Sequence, residues 1–261
     1  LIMISGIKDV GQGLVRWRLW TMLAWESFRA RYYRTLIGPI WVTASFVAFI
    51  SVKIFIFGKL SGGDPDYFVG HVTLGFMVWT YITNAINGGA NAFIGSRNWI
   101  LGIKAPFSLF VYEVVATAMI NLIFVSLASL TLTMIFQPFG PIQFFWGLVG
   151  VALLVFSLFW VQLLIAVMSV FSRDLAQLIG TIMRISFFLT PIIWIPSALG
   201  RRAGVTELNP FTHYVAIVRQ PMLDGTFPVL SYMVVGGITL VAMVISTVAL
   251  STSRNLIAAR I

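Results

Sequence analysis

Six apolar stretches, at about 36–57, 68–92, 107–136, 143–171, 176–195 and 229–251, leave this chain few ways to fold. Each is close to the ~20 residues that carry a helix across the ~30 Å hydrocarbon core of a bilayer. Backbone polar groups find no water there, so such segments satisfy their hydrogen bonds internally. Composition points the same way: 59% of the residues are hydrophobic and 10% charged, against roughly 25% charged in a soluble domain. The expected class is an all-α, multi-pass integral membrane protein with six transmembrane helices in a domain over 36–261.

Residues 1–35 precede the first span and read as a separate amphipathic region. Leu14, Trp17, Thr21, Trp25, Phe28 and Tyr32 recur at spacings of three and four, which predicts an interfacial helix over 14–34. Leu19, Trp20, Met22 and Leu23 fall outside that stripe, which a helix bedded among headgroups tolerates. These 35 residues hold six basic residues and no uninterrupted apolar run, so the first span is expected to act as the insertion signal. Between spans five and six, 199–228 is the least apolar stretch. Asn209 is a good N-cap there, Pro210 a good first helical residue and Gly225 a good stop. Short external re-entrant helices are expected, with Phe211, Tyr214, Val215, Val218 and Met222 on one face.

Lysine and arginine set the orientation. With both termini cytoplasmic, that side carries eleven of them and the other side four (Lys59, Arg201, Arg202 and Arg219); Lys53 and Arg184 lie inside spans. The net charge of +9 in so apolar a chain fits basic loops against anionic lipid rather than nucleic acid. There is no cysteine, hence no disulfide or thiolate metal site. His71 and His213, expected near the outer surface, have no carboxylate and nucleophile at recognisable spacing, so neither a metal nor a catalytic site is expected. Glu207 and Asp224 are expected to cap the external helix or to pair with Arg201, Arg202 or Arg219.

A phosphate-cradling loop needs GxxxxGK[ST], and the Gly58-Lys59 pair is followed by leucine. Any nucleotide-driven work therefore requires a partner and a surface to receive it. The candidate is a short amphipathic helix over 96–104, with Ser96, Arg97, Asn98, Trp99, Ile100 and Lys104, closed by Pro106; Arg173 and Asp174 form a second short loop on the same side. The plain alternative is a turn that anchors two spans. Arg29, Arg31 and Arg34 cluster at the membrane edge, where guanidinium can pair bidentately with a lipid phosphate or simply anchor the chain. Arg184 lies deep in span five, where a charge costs about 2.5–3.5 kcal/mol on translocon scales, and should face a partner, a pore or a subunit seam. Lys53 can snorkel and is read as structural. Trp79, Tyr81, Phe187, Phe188 and Trp194 are candidate conduit-lining aromatics, against the alternative of ordinary interfacial belts.

Six segments in register resemble one family. They are RYYRTLIGPIWVTASF (31–46), GFMVWTYITNAINGG (75–89), KAPFSLFVYE (104–113), SRDLAQL (172–178), LTPIIWIPS (189–197) and LNPFTHYVAIVRQPMLDG (208–225). Together they are similar to permease subunits of type-2 ABC exporters for polysaccharides. The resemblance implies a homodimer of six-span subunits and two copies of a separate ABC ATPase, with ATP and Mg on that partner and no cofactor on this chain. It implies export of an undecaprenyl-pyrophosphate-linked glycan across the bacterial inner membrane, O-antigen first, with capsule, teichoic acid, or a small lipid or drug as alternatives. It makes the N-terminal segment an interface helix, 96–104 the coupling helix and 199–228 the external gate. Glu113 departs from the basic or neutral residue expected at the start of span three. A membrane-embedded transferase would need clustered Asp, Glu and His in or beside the spans, which this chain lacks; an ion-driven transporter would need mid-span acids, for which only Glu113, near a span end, is a candidate.

Overall fold

The computed structural model describes residues 2–58, 64–172, 174–195 and 204–260. Among them are ten helices: α1 (Ile2–Val15), α2 (Trp17–Tyr32), α3 (Ile40–Phe57), α4 (Pro65–Gly95), α5 (Arg97–Gly102), α6 (Ser108–Phe136), α7 (Pro141–Phe171), α8 (Asp174–Leu189), α9 (Pro210–Leu223) and α10 (Val229–Arg260). Four are long and apolar enough to cross a membrane: Ile40–Phe57, Ser108–Phe136, Pro141–Phe171 and Val229–Ile257. The predicted second and fifth spans are helical but differ from those four. α4 has 31 residues, yet Thr80, Thr83, Asn84, Asn87 and Asn91 dilute its apolar surface. α8 stops after 16 residues, about 24 Å of rise. Thr190 precedes Pro191, and a residue before proline is pushed out of helical geometry.

α4 is the axis of the bundle and packs against α3, α6, α7, α8 and α9. Most of its side chains are buried, but of the five polar ones just named four are only partly covered and Asn91 is exposed. Two glycines let neighbours come close. A Cβ on Gly89 would sit 3.0 Å from the Cα of Gln162 in α7, and one on Gly150 would collide with the carbonyl of Ile217 in α9. α9, expected to dip back from outside, is buried along nearly its whole length between α4, α7 and α10.

Three boundaries need correction. The N-terminal region is two helices broken at Arg16, with α1 lying upstream of the predicted one. The inward face of α2 is Trp20, Leu23, Ala24 and Phe28, whereas Trp17 and Trp25 of the predicted stripe point outward. α10 continues to Arg260, so the basic tail is helical.

α1 explains how this end closes. Asp9, 1% exposed, accepts hydrogen bonds from the backbone N–H groups of Phe107 (3.3 Å) and Ser108 (3.0 Å). Those are orphan donors at the start of α6, which has no cap of its own. Ser108 Oγ donates back to the Asp9 carbonyl at 2.8 Å, and Arg254 of α10 lies 3.5 Å from the same carboxylate. Gly6 and Gly13 bring α1 against Thr247 and Ser251 on one side and Ser108 on the other. α1 and the last turns of α10 therefore meet at the start of α6, just past α5. Asp9→Ala should destabilise the detergent-solubilised protein by about 2–3 kcal/mol, since two buried donors lose their acceptor. Asp9→Asn, which keeps one acceptor, should cost less; equal melting of wild type and D9A would remove the cap from this account.

Candidate coupling end and candidate gate

α5 joins α4 to α6 at the end where α1 and α10 meet. Ile100 turns inward onto a core formed by Phe93, Phe107, Phe110 and Leu163. Arg97, Asn98 and Lys104 are exposed, as are Trp99 (51%), Leu101 (58%) and Ile103 (38%), while Ser96 is half-buried. With the two residues that follow it, this six-residue helix shows one tryptophan, two aliphatics and two cations outward, a short and firmly seated ledge. Its far side is held through the Lys104 carbonyl, which accepts from Arg16 Nη1 at 3.3 Å. Asp174 opens α8 and is exposed at the end of the hairpin from α7; Arg173 lies outside the described residues. The hairpin shares the α5 end, because Arg260 lies over the Phe171 ring at 5.0 Å.

The three arginines of the membrane-edge cluster are all exposed but do not converge. Arg31 lines a polar recess of about 310 Å³ between α2, α4 and α6. Arg34 sits past the end of α2 with φ of 66°, its guanidinium over Tyr33. Arg29, in the last turn of α2, does not line the recess. Glu113, across from Arg31, accepts from Ser27 Oγ at 2.7 Å.

Four of the six conduit candidates do come together. Trp79, Arg184, Phe187 and Phe188 line a recess of about 330 Å³ between α3, α4 and α8, with Phe49 and Phe76 opposite. Trp194 lines a neighbouring recess of about 440 Å³ that shares Phe188. Tyr81, 1% exposed, lies in the core and lines neither. Trp79 connects the two by packing edge-on to Phe211 at 5.5 Å. Arg184 is exposed and donates to Thr181 at 3.1 Å, so its charge lies on the outer face of α8. Lys53, expected simply to snorkel, holds its ammonium over Phe49 (4.8 Å) and Phe187 (5.5 Å) at the same recess.

The opposite end is organised by Arg219, which is not the surface loop charge expected from sequence. It is 6% exposed, and its Nη1 donates to the Pro191 carbonyl at 2.6 Å and to His71 Nε2 at 3.2 Å. Guanidinium cannot accept, so His71 Nε2 is the acceptor and its proton lies on Nδ1. The same Nε2 lies 3.2 Å from the Trp194 carbonyl and could donate to it only by releasing Arg219. One side chain of α9 thus ties α4 to the broken segment after α8. Asn209 adds a second tie, donating to Thr190 at 2.9 Å while it caps α9 through Phe211 N–H. His71 and His213 are both buried, and Asp224 accepts from Tyr67 rather than pairing with Arg219. Arg201 and Arg202 lie outside the described residues, as does all of the predicted gate before 204. Arg219 was discoverable: it falls four residues after Val215 and three before Met222, on the apolar face already drawn for this helix.

No family model matches the chain. It is similar to the O-antigen export system permease protein RfbA of Myxococcus xanthus, 24% identical over 218 residues, which is 80% of this chain and 83% of that one. Two proteins of the same name from Klebsiella pneumoniae are 20% and 18% identical, each over 88% of this chain and 89% of theirs. These likenesses bear out the resemblance to type-2 ABC exporter permeases, and with the four long apolar helices they support a multi-pass membrane protein. Arg219→Leu should strand a buried carbonyl and a buried imidazole, costing about 2–4 kcal/mol. A melting curve like that of wild type would show that the network holds nothing.

Proposed function

We propose that this chain is the permease subunit of an ATP-driven exporter and moves an undecaprenyl-pyrophosphate-linked polysaccharide, O-antigen first, from the cytoplasm across the bacterial inner membrane. Two copies form the membrane part and two copies of a separate ABC ATPase supply the force. α4 and α8 complete six spans, α8 with the help of 190–195, and both termini are cytoplasmic. The observation that carries the reading is α5. With the two residues after it, α5 exposes Trp99, Leu101 and Ile103 between Arg97 and Lys104, on a segment fixed at both ends. An exposed aromatic with flanking cations is the composition of an interface anchor. The name and extent of the three relatives support the cargo.

In the proposed cycle the ATPase pair closes on ATP and pushes α5. The push passes along α4 from its C-terminal end at Gly95, beside α5, to His71 and Tyr67 near its N-terminal end, at the Arg219 latch. The aromatic recesses along α8 then offer sugars weak, repeated stacking contacts, which suits a polymer that must enter and also leave. The bilayer-edge arginines receive the carrier phosphate, Arg31 foremost because it alone of the three lines the polar recess.

Arg97→Glu with Lys104→Glu should abolish ATP-dependent export in inverted vesicles containing the ATPase, while the protein still reaches the membrane. Full export by that double variant would remove α5 from the coupling path. Export by this chain without any ATPase would overturn the reading altogether.

A further inference from the structure

We infer that the recess between α2, α4 and α6 reads the first sugar beside the carrier phosphate, and so separates loaded from empty carrier. This rests on the export reading above and adds a selectivity that the reading does not contain.

Seven of the twelve residues lining the recess carry polar side chains. Asn84, Gly88, Asn91 and Gly95 are spaced four, three and four, which puts one face of α4 along it. The groups around it have unused bonding capacity. Glu113 can accept about four hydrogen bonds as a carboxylate and takes one, from Ser27. Among the described residues, Arg31 has no ion pair and the Asn84 amide has no hydrogen bond within the chain. Arg31 and Glu113 carry opposite charges in one recess yet lie beyond ion-pair distance, since Asp9–Arg254 is the one salt bridge among the described residues.

A ligand that joins the two groups must be anionic at one end and rich in donors at the other. A bare phosphate or pyrophosphate satisfies Arg31 but is repelled by Glu113. A phosphate carrying a sugar offers its oxygens to Arg31 and its hydroxyls to Glu113 and Asn84. A polar site built for a hydroxyl rejects the analogue that lacks one, because its own groups are left unpaired. A phosphoethanolamine headgroup shares part of this chemistry, with an ammonium in place of hydroxyls, and the test separates the two.

The complex of this chain with its ATPase is reconstituted in vesicles of phosphatidylglycerol and phosphatidylcholine. Stimulation of ATP hydrolysis is then titrated with undecaprenyl pyrophosphate, bare or bearing one hexose. Wild type should respond to the sugar-bearing form at a concentration about tenfold or more lower, the worth of a hydrogen bond to a charged group. Glu113→Gln should bring the two forms close together by weakening the loaded carrier and strengthening the bare one. Asn84→Ala, a second variant should E113Q fold poorly, should narrow the gap as well. Arg31→Gln should weaken both forms alike. No preference in wild type, or an unchanged preference in E113Q and N84A, overturns the inference while export stands. Loss of the preference when phosphatidylethanolamine is added assigns the recess to that headgroup and also overturns it. Absence of stimulation by either form overturns the export reading and the inference with it.

Discussion

The buried carboxylate of Asp9 is the joint on which this end of the molecule depends. An α-helix leaves its first N–H groups without partners, and α6 begins inside the protein where water cannot supply them. Asp9 reaches over from α1 to accept from two of them. That contact fixes the segment between α5 and α6, and with Arg16 holding the Lys104 carbonyl it leaves α5 little freedom to slide. A surface helix of six residues has almost no stability of its own. It can transmit a force only if its neighbours hold it, and α1 provides the hold. On the proposed reading this would give the N-terminal helix a mechanical purpose distinct from that of α2, whose outward tryptophans suit a membrane surface.

The other end is held by the mirror-image device, a buried cation with neutral acceptors. Arg219 meets a carbonyl and an imidazole, neither of them charged in this arrangement. Such a bond set is strong while made and costly when half-broken, so it favours two discrete positions over a continuous drift. α4 spans the distance between the two joints in 31 residues, about 46 Å of helix. It ends next to α5 at Gly95 and passes the latch at His71. Being packed on nearly all sides, it would move as a rod, and a displacement at one joint would reach the other.

Much of the fold was legible because hydropathy is a statement about solvent. α3, α6, α7 and α10 announce themselves by apolar length alone. α4 and α8 are legible as helices, but their span-like character does not follow from hydropathy: one carries threonines and asparagines on partly covered positions, the other is cut short by Pro191. The interfacial stripe on α2 was half right, because a helix with apolar residues on two faces does not reveal which one meets the bundle; Trp20 and Phe28 meet it, Trp17 and Trp25 do not. Arg31 was recognisable as one of a basic cluster, but its separation from Arg29 and Arg34 depends on where α2 stops. Asp9 gave no local sign, since the donors it serves lie about a hundred residues away. Its one clue is position, between Gly6 and Gly13 on a face that can approach other helices closely.

Polarity inside a membrane protein is expensive, and its placement here is uneven. The Asn-rich face of α4, Glu113 and Arg31 all gather toward the α5 end, whereas the opposite end keeps one buried cation, Arg219, tightly matched. A matched group stabilises; an unmatched one waits for something. The α5 end is also where the chain shows its exposed cations and its one free-standing ledge. If a cargo headgroup is sensed there, it is sensed by the stretch of α4 from Asn84 to Gly95, which leads directly into α5. Sensing and drive would then share a few residues of α4, and the motor could respond to a loaded carrier without any signal crossing the bilayer.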